Sequence, residues 1–330
     1  MTGADALRVC DLEVGFATRH GLVRAVRGVS FDIEPGRTVG LVGESGSGKS
    51  VTTLAAFRLL PSTGRVLRGS VELGGVDLLR LPSKELNRVR GRRVGMVFQD
   101  SMTSLNPLLS VGLQIVETLA THLDLRGRAA RRRALTLLEE VGVPDPERRL
   151  RQFPHQLSGG LRQRIAVAIA LAPNPDLLIA DEPTTALDVT IQAQLLELLQ
   201  RERKQRGMSL LLITHDLGVI AGIADEVCVM YAGRIVERGP TDEVFAAPRH
   251  PYTAALLRSV PRLEGGLERR LNSIAGAPPV EWDERDGCAF RPRCPLAMAV
   301  CAESDPRLDE NGGHSAACFA AAPMREVVSR

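Results

Sequence analysis

The run Gly43-Glu44-Ser45-Gly46-Ser47-Gly48-Lys49-Ser50 spaces its residues as G-x-x-x-x-G-K-[ST]. Glycines let a backbone wrap closely, so that its N–H groups can cradle phosphate oxygens. Lys49 would reach the β- and γ-phosphates of a nucleotide, and Ser50 would hold Mg2+. Further along, Leu177–Asp181 (LLIAD) is an apolar run that ends in a carboxylate, with Glu182 directly after it. Asp181 suits a direct or water-mediated Mg2+ contact. Glu182 points to the opposite side and could polarise an attacking water. A third motif, Ser158-Gly159-Gly160, opens another helix and forms a second anion-ready N-terminus without a lysine. One nucleotide does not need two phosphate cradles from one chain. The economical reading gives the second cradle to a nucleotide held by another subunit, which requires a head-to-tail pair.

These groups need strands and helices to aim them. The first loop follows the apolar run TVGLVG and opens the helix-compatible segment KSVTTLAAFRLL. LLIAD, LLLIT (Leu210–Thr214) and EVCVMYAG (Glu226–Gly233) read as strands buried on both faces of a parallel sheet. Between the first two, Ile191–Gly207 reads as an amphipathic helix with a basic end and a closing glycine. This strand–helix–strand crossover predicts an α/β fold. Residues from about 6 to 100 alternate short β-like runs with Gly and Pro breaks, and those from about 101 to 170 read as helices, RRRALTLLEEVG among them. After about residue 245 prolines punctuate the chain, and LEGGLERR resembles a linker. The expected domains are 1–247, holding the nucleotide chemistry with a helical part at about 101–160, and an extension over 248–330.

Composition narrows the classes. Charged residues at 25% and apolar residues at 44% are ordinary for a globular protein, and a net charge of +3 argues for no partner. Aromatics at 3% disfavour stacking platforms for single-stranded nucleic acid. Arg88, Arg90, Arg92 and Arg93, and then Arg126, Arg128 and Arg131–Arg133, read as solvated faces, with a surface near anionic lipid or nucleic acid as the alternative. The start carries no signal-peptide pattern and no run is of membrane-crossing length, so the chain is expected in the cytosol.

Four of six cysteines, Cys288, Cys294, Cys301 and Cys318, are spaced C-x5-C-x6-C-x16-C. Reduced cytosolic thiols disfavour disulfides. The spacing lacks the close C-x2–4-C pairs of structural zinc sites. Four thiolates are the ligand set of a [4Fe–4S] cluster, and Arg291 and Arg293 could offset its negative charge. Zinc, or plain buried thiols, stay open. His314 reads as a surface histidine, with a ligand role as the alternative. Cys10 and Cys228 fall in strand patterns and read as core.

In order and type, these motifs resemble those of the ATP-binding subunit of an ABC transporter. The resemblance implies a P-loop core of ABC type with an antiparallel β subdomain, a helical subdomain and a small C-terminal extension. It makes Gly43–Ser50 the Walker A loop, Asp181 and Glu182 the Walker B aspartate and catalytic glutamate, and Ser158, Gly159 and Gly160 the signature. Gln99 in MVFQD matches the Q-loop glutamine that senses γ-phosphate and Mg2+. Asp188 matches the D-loop, and His215 in LLITHD the switch histidine. Phe16 sits where the family stacks an aromatic on adenine. GESGSGKS, FQDSMTSLNPLLSVG, DEPTTALDVTIQAQ and RIVERGPTDEVFAAPRHPYTAALLRSVP resemble the oligopeptide and dipeptide importers, with Ser101 where that branch often has Pro. That branch implies ATP and Mg2+, a second and related ATPase chain, two membrane permeases and, indirectly, a periplasmic or extracellular peptide-binding protein. It places the chain peripherally on the cytoplasmic face of the membrane, and its similar cysteine segment is associated with an iron–sulfur cluster. Nickel and glutathione importers share much of the pattern. ABC-type ATPases that act on nucleic acid differ by a coiled-coil insert, a second ATPase domain or C-x-x-C zinc modules, so no nucleic-acid partner is expected.

Overall fold

The computed structural model describes residues 6–19, 21–99, 104–185, 187–259, 274–279, 282, 286–308 and 313–321. LEGGLERR and Ser101 lie outside them. In chain order the strands are β1 (Leu7–Thr18), β2 (Gly21–Ile33), β3 (Thr38–Val42), β4 (Gly64–Leu73), β5 (Val76–Asp77), β6 (Val94–Val97), β7 (Leu177–Asp181), β8 (Ser209–Thr214), β9 (Glu226–Tyr231), β10 (Arg234–Pro240) and β11 (Ser315–Ala316). The contacts divide the chain into two units.

One unit is built mainly from Arg80–Ile213, with Ile33–Arg37. Its strands β6, β7 and β8 pair in parallel, with Val97 opposite Ala180 and Asp181 opposite Ile213. Every residue of β7 and β8 is buried, which explains why both read as unbroken apolar runs. The helix Val189–Arg206 makes the crossover between them and closes on Gly207 at φ 64°. The helices Val111–Leu123, Gly127–Glu140 and Gly159–Leu171 fill the middle of the sequence. The first is capped by the Ser110 hydroxyl, which accepts from the Leu113 N–H at 3.3 Å. The second buries Ala130, Ala134, Leu137 and Leu138, one side of a helical repeat. Among the clustered arginines, Arg93 pairs with Asp176 at 2.8 Å and Arg133 with Glu140 at 2.6 Å.

The other unit gathers Arg8–Asp32, Thr38–Leu79 and Thr214 onward. It contains a sheet in the order β2–β1–β4–β5, in which β4 and β5 form an antiparallel hairpin across Gly74 and Gly75. It also pairs β3 in parallel with β9, then β9 with β10 and β10 with β11, both antiparallel. β3 runs into the phosphate-type loop and the helix Lys49–Ala56 leaves it. That helix is shorter than KSVTTLAAFRLL suggests. Arg58 takes a left-handed φ of 51°, the Leu59 N–H bonds Leu54 O at 2.7 Å, and the Arg58 N–H bonds Ala55 O at 2.9 Å. This is a Schellman stop with arginine in the position glycine usually fills. Late in the chain, Pro251–Ser259 is a helix, and the described residues of the cysteine segment include the turn Arg291–Arg293, the helix Val300–Glu303 and the strand β11. No helix among the described residues is long and apolar enough to cross a membrane.

Candidate functional site

The loop Gly43–Ser50 belongs to the unit that holds β3. Gly43, Gly46 and Gly48 have φ values of 157°, 82° and 103°. A Cβ on Gly43 would lie 2.1 Å from Met230 O, and one on Gly48 would lie 2.7 Å from Ala25 O. Only glycine fits at either place, because backbone crowds both. Lys49 is buried, and its ammonium donates to Gly43 O at 2.7 Å, Glu44 O at 3.0 Å and Ser47 Oγ at 3.4 Å. The charge therefore sits in a ring of loop oxygens, at the start of a helix whose N-terminus favours an anion. An incoming phosphate would exchange those oxygens for its own. Ser50 stands on the first turn of the same helix.

Asp181 and Glu182 belong to the other unit and are both buried at the end of β7. Glu182 takes a left-handed φ of 45°, unusual for a residue with a side chain, while its N–H donates to Ile213 O at 2.8 Å. Backbone held this way costs about 1–3 kcal/mol. The Glu182 carboxylate accepts from the Gln99 amide at 2.9 Å and from the Thr185 hydroxyl at 2.9 Å, both on Oε2. Gln99 and Glu182 are thus brought together by the pairing of β6 with β7. Nothing in the sequence singles out Thr185. Its position three residues beyond Glu182 is a local signal, but Thr is too common in turns for that signal to stand out.

The same unit joins the signature to Asp188. Ser158 caps the helix Gly159–Leu171, its Oγ accepting from the Leu161 N–H at 3.4 Å. Asp188 caps the helix Val189–Arg206, its Oδ1 accepting from the Ile191 N–H at 2.9 Å. Gly160 lies against Ile191, since a Cβ there would stand 3.0 Å from Ile191 Cγ2. Ser158, Gly159 and Asp188 are exposed, so both helix N-termini reach the surface of this unit.

His215 is exposed just after β8, and Asp216 beside it caps the short helix Leu217–Ala221. Phe16 on β1 is half-buried, with its ring packed over Gly64, where a Cβ would meet Phe16 Cε1 at 2.7 Å.

The four clustered cysteines line one cavity of about 10 Å3, the size of a single water. Burial raises the thiol pKa of Cys288 to about 11 and also raises those of Cys294 and Cys318. Among the described residues no group of three or more His, Cys, Asp or Glu side chains could hold a metal ion. The donors therefore match a soft metal in type, but as placed they do not fit a cluster. The surface reading of His314 is corrected: it is buried, and its Nε2 meets Glu237 Oε1 at 2.7 Å. Glu237 is fully buried and also accepts the Arg249 and His250 N–H groups, so His314 completes the solvation of a buried carboxylate. Cys228 is core in β9, with its thiol pKa pushed up to about 12 by burial, while Cys10 is only half-buried.

Residues 26–185 match the family model described as ABC transporter, and residues 236–301 match the model described as the C-terminal region of oligopeptide/dipeptide transporters. The oligopeptide transport ATP-binding protein OppD of Bacillus subtilis (strain 168) is 53% identical over 301 residues, covering 91% of this chain and 84% of that protein. The dipeptide transport ATP-binding protein DppD of the same organism is 52% identical, covering 89% of this chain and 88% of that protein. A putative peptide import ATP-binding protein of Brucella abortus (strain 2308) is 48% identical over 98% of both chains. Among solved structures, the dimeric post-hydrolysis state of the ATP-binding cassette MJ0796 with ADP and Pi matches with a TM-score of 0.65. It is 27% identical and covers 71% of this chain and 98% of that one.

Proposed function

The chain belongs to the ATP-binding subunits of ABC transporters, in the oligopeptide/dipeptide branch, and from that membership we propose that it binds and hydrolyses ATP to drive import of short peptides through a membrane permease. The observation that carries the chemistry is the Glu182 carboxylate, buried and pinned by Gln99 and Thr185 on one oxygen. A carboxylate so placed suits a general base for water. Lys49 and the loop amides would hold the phosphates. Ser50, Gln99 and Asp181 would hold Mg2+, which when bound neutralises charge on the β- and γ-phosphates. His215 would contact the γ-phosphate and Phe16 the adenine. Catalysis is positioning plus electrostatics.

The partner is a second ATPase chain, related but different, that meets this one head to tail. The dimeric state of the similar cassette supports pairing with a second ATPase chain, and the exposed helix N-terminus at Ser158–Gly160 supports a head-to-tail arrangement. In this arrangement Ser158–Gly160 cover the partner's nucleotide. We assign residues 1–247 to the ATPase domain and 248–330 to the extension. Two permeases would dock on the helical part at about 101–160, where Leu108, Leu113 and Phe153 are exposed. An open cavity of about 700 Å3 is lined there by Asp145–Arg148, Arg151 and Gln152. The chain then sits peripherally on the cytoplasmic face of the membrane, supplied indirectly by a peptide-binding protein outside.

A [4Fe–4S] cluster on Cys288, Cys294, Cys301 and Cys318 is a separate proposal. It rests on the branch resemblance and on four thiols that line one cavity, and binding would require them to draw together. Anaerobically purified protein should show a visible absorption band and acid-labile sulfide. Colourless protein with stoichiometric zinc would replace iron with zinc.

The transport reading is tested in vesicles that contain the cognate permeases, both ATPases and the binding protein. Peptide uptake should require ATP. Uptake of nickel or glutathione instead would move the substrate to those branches. Salt-sensitive DNA binding without membrane binding would overturn the reading.

A further inference from the structure

Glu44, the second residue of the phosphate-type loop, has all three of its polar groups occupied. Its N–H donates to the Tyr252 hydroxyl at 2.8 Å. Its carbonyl accepts from the Lys49 ammonium at 3.0 Å. Its carboxylate is forked by Arg293, with Nη1 to Oε2 at 2.6 Å and Nη2 to Oε1 at 2.9 Å. Arg293 lies between Cys288 and Cys294 in the cysteine segment, 249 residues from Glu44. The same guanidinium donates through Nε to Ala275 O at 2.9 Å and approaches the Tyr231 hydroxyl at 3.3 Å. It also lies 5.8 Å from the Tyr231 ring centroid and 6.0 Å from that of Phe290. Tyr231, Tyr252 and Phe290 pack together with centroids 4.6–5.4 Å apart. The Arg293 side chain is only 4% exposed, so this is a built contact rather than a surface pairing.

An acidic side chain in a loop that receives a polyanion needs a counter-charge. Without one it repels the phosphates and competes for the lysine. A bidentate arginine supplies that charge and also fixes the direction of the carboxylate, which a lysine cannot do. We propose that Arg293 is a positioning residue for nucleotide binding, which neutralises Glu44 and holds it in one orientation, so that the cysteine segment sets the ATP affinity of the loop. This rests on the assignment of Gly43–Ser50 as the ATP site.

The test is a cycle of Arg293→Ala, Glu44→Gln and the double variant in the assembled transporter, with ATP binding, KM and kcat measured. Arg293→Ala should raise KM for ATP roughly 10-fold or more, with kcat changed by less than about 2-fold. Arg293→Lys should recover part of the loss. In the Glu44→Gln background, Arg293→Ala should move KM by less than about 2-fold, because the charge it guards is gone. An unchanged KM in Arg293→Ala, or an equal loss in both backgrounds, overturns the proposal. If Arg293→Ala does not fold, Arg293→Lys compared across the two backgrounds carries the same test. Failure of the unaltered chain to bind ATP would instead sink the assignment of the loop.

Discussion

The Thr185 hydroxyl donates to Glu182 Oε2 at 2.9 Å, the same oxygen that accepts from the Gln99 amide. Both bonds fix the orientation of the carboxylate. Thr185→Ala should lower kcat about 10-fold and leave the KM for ATP unchanged, since a misdirected base slows chemistry without weakening binding. Thr185→Ser should restore the rate. A wild-type kcat in Thr185→Ala would show that Gln99 alone suffices to orient Glu182.

Asp188 serves a helix cap with one oxygen, which allows its two roles to be separated. Asp188→Ala should destabilise the fold by about 1 kcal/mol in denaturant titrations. Asp188→Asn keeps an equally good cap and should be as stable as the wild type. If the charge acts across the ATPase pair, Asp188→Asn should still slow ATP turnover roughly 3- to 10-fold in the assembled transporter. Wild-type turnover in Asp188→Asn would reduce Asp188 to its capping role.

His250 makes the fold sensitive to mild acid. Burial pushes its pKa down to about 4, with Glu237 opposing. Its Nδ1 accepts the Tyr252 N–H at 3.1 Å, which requires the unprotonated nitrogen. The unfolded chain takes up this proton near pH 6.5, and the folded chain holds it off until about pH 4. The contribution is therefore complete above pH 6.5 and is lost as the pH falls to about 4, on the order of 3 kcal/mol in all. Glu237, His314 and Arg249 share this corner, so the comparison must be with His250→Gln. Denaturant midpoints should fall less steeply from pH 6.5 to 4 in that variant, and an identical slope would remove His250 as the source.

Local motifs were legible because their chemistry is local. β7 falls where LLIAD predicts, β8 adds one residue to LLLIT, and the crossover helix ends on the glycine that closes its sequence pattern. Gly43 and Gly48 are readable for the same reason: their conformations and close backbone neighbours leave no alternative residue. What stayed hidden depends on distant chain meeting. Nothing in GESGSGKS or FRPRCP says that Glu44 and Arg293 form a fork, and nothing around His314 announces a buried glutamate on β10. The early stop of the helix Lys49–Ala56 was also illegible, because its left-handed stop residue is Arg58 where a glycine would have been a signal. The cysteine spacing predicted a shared location, and the four do line one cavity, but spacing alone does not fix ligand distances.

Glu182 is proposed to activate water at an ATP bound by this chain. The most direct measurement is ATP binding and single-turnover hydrolysis by Glu182→Gln, assembled with its partner ATPase and permeases. Glutamine keeps the shape and can still bond Gln99 and Thr185, but it cannot take a proton. ATP affinity should be unchanged and hydrolysis slowed roughly 10²- to 10⁴-fold. Near-wild-type hydrolysis in that variant would contradict it.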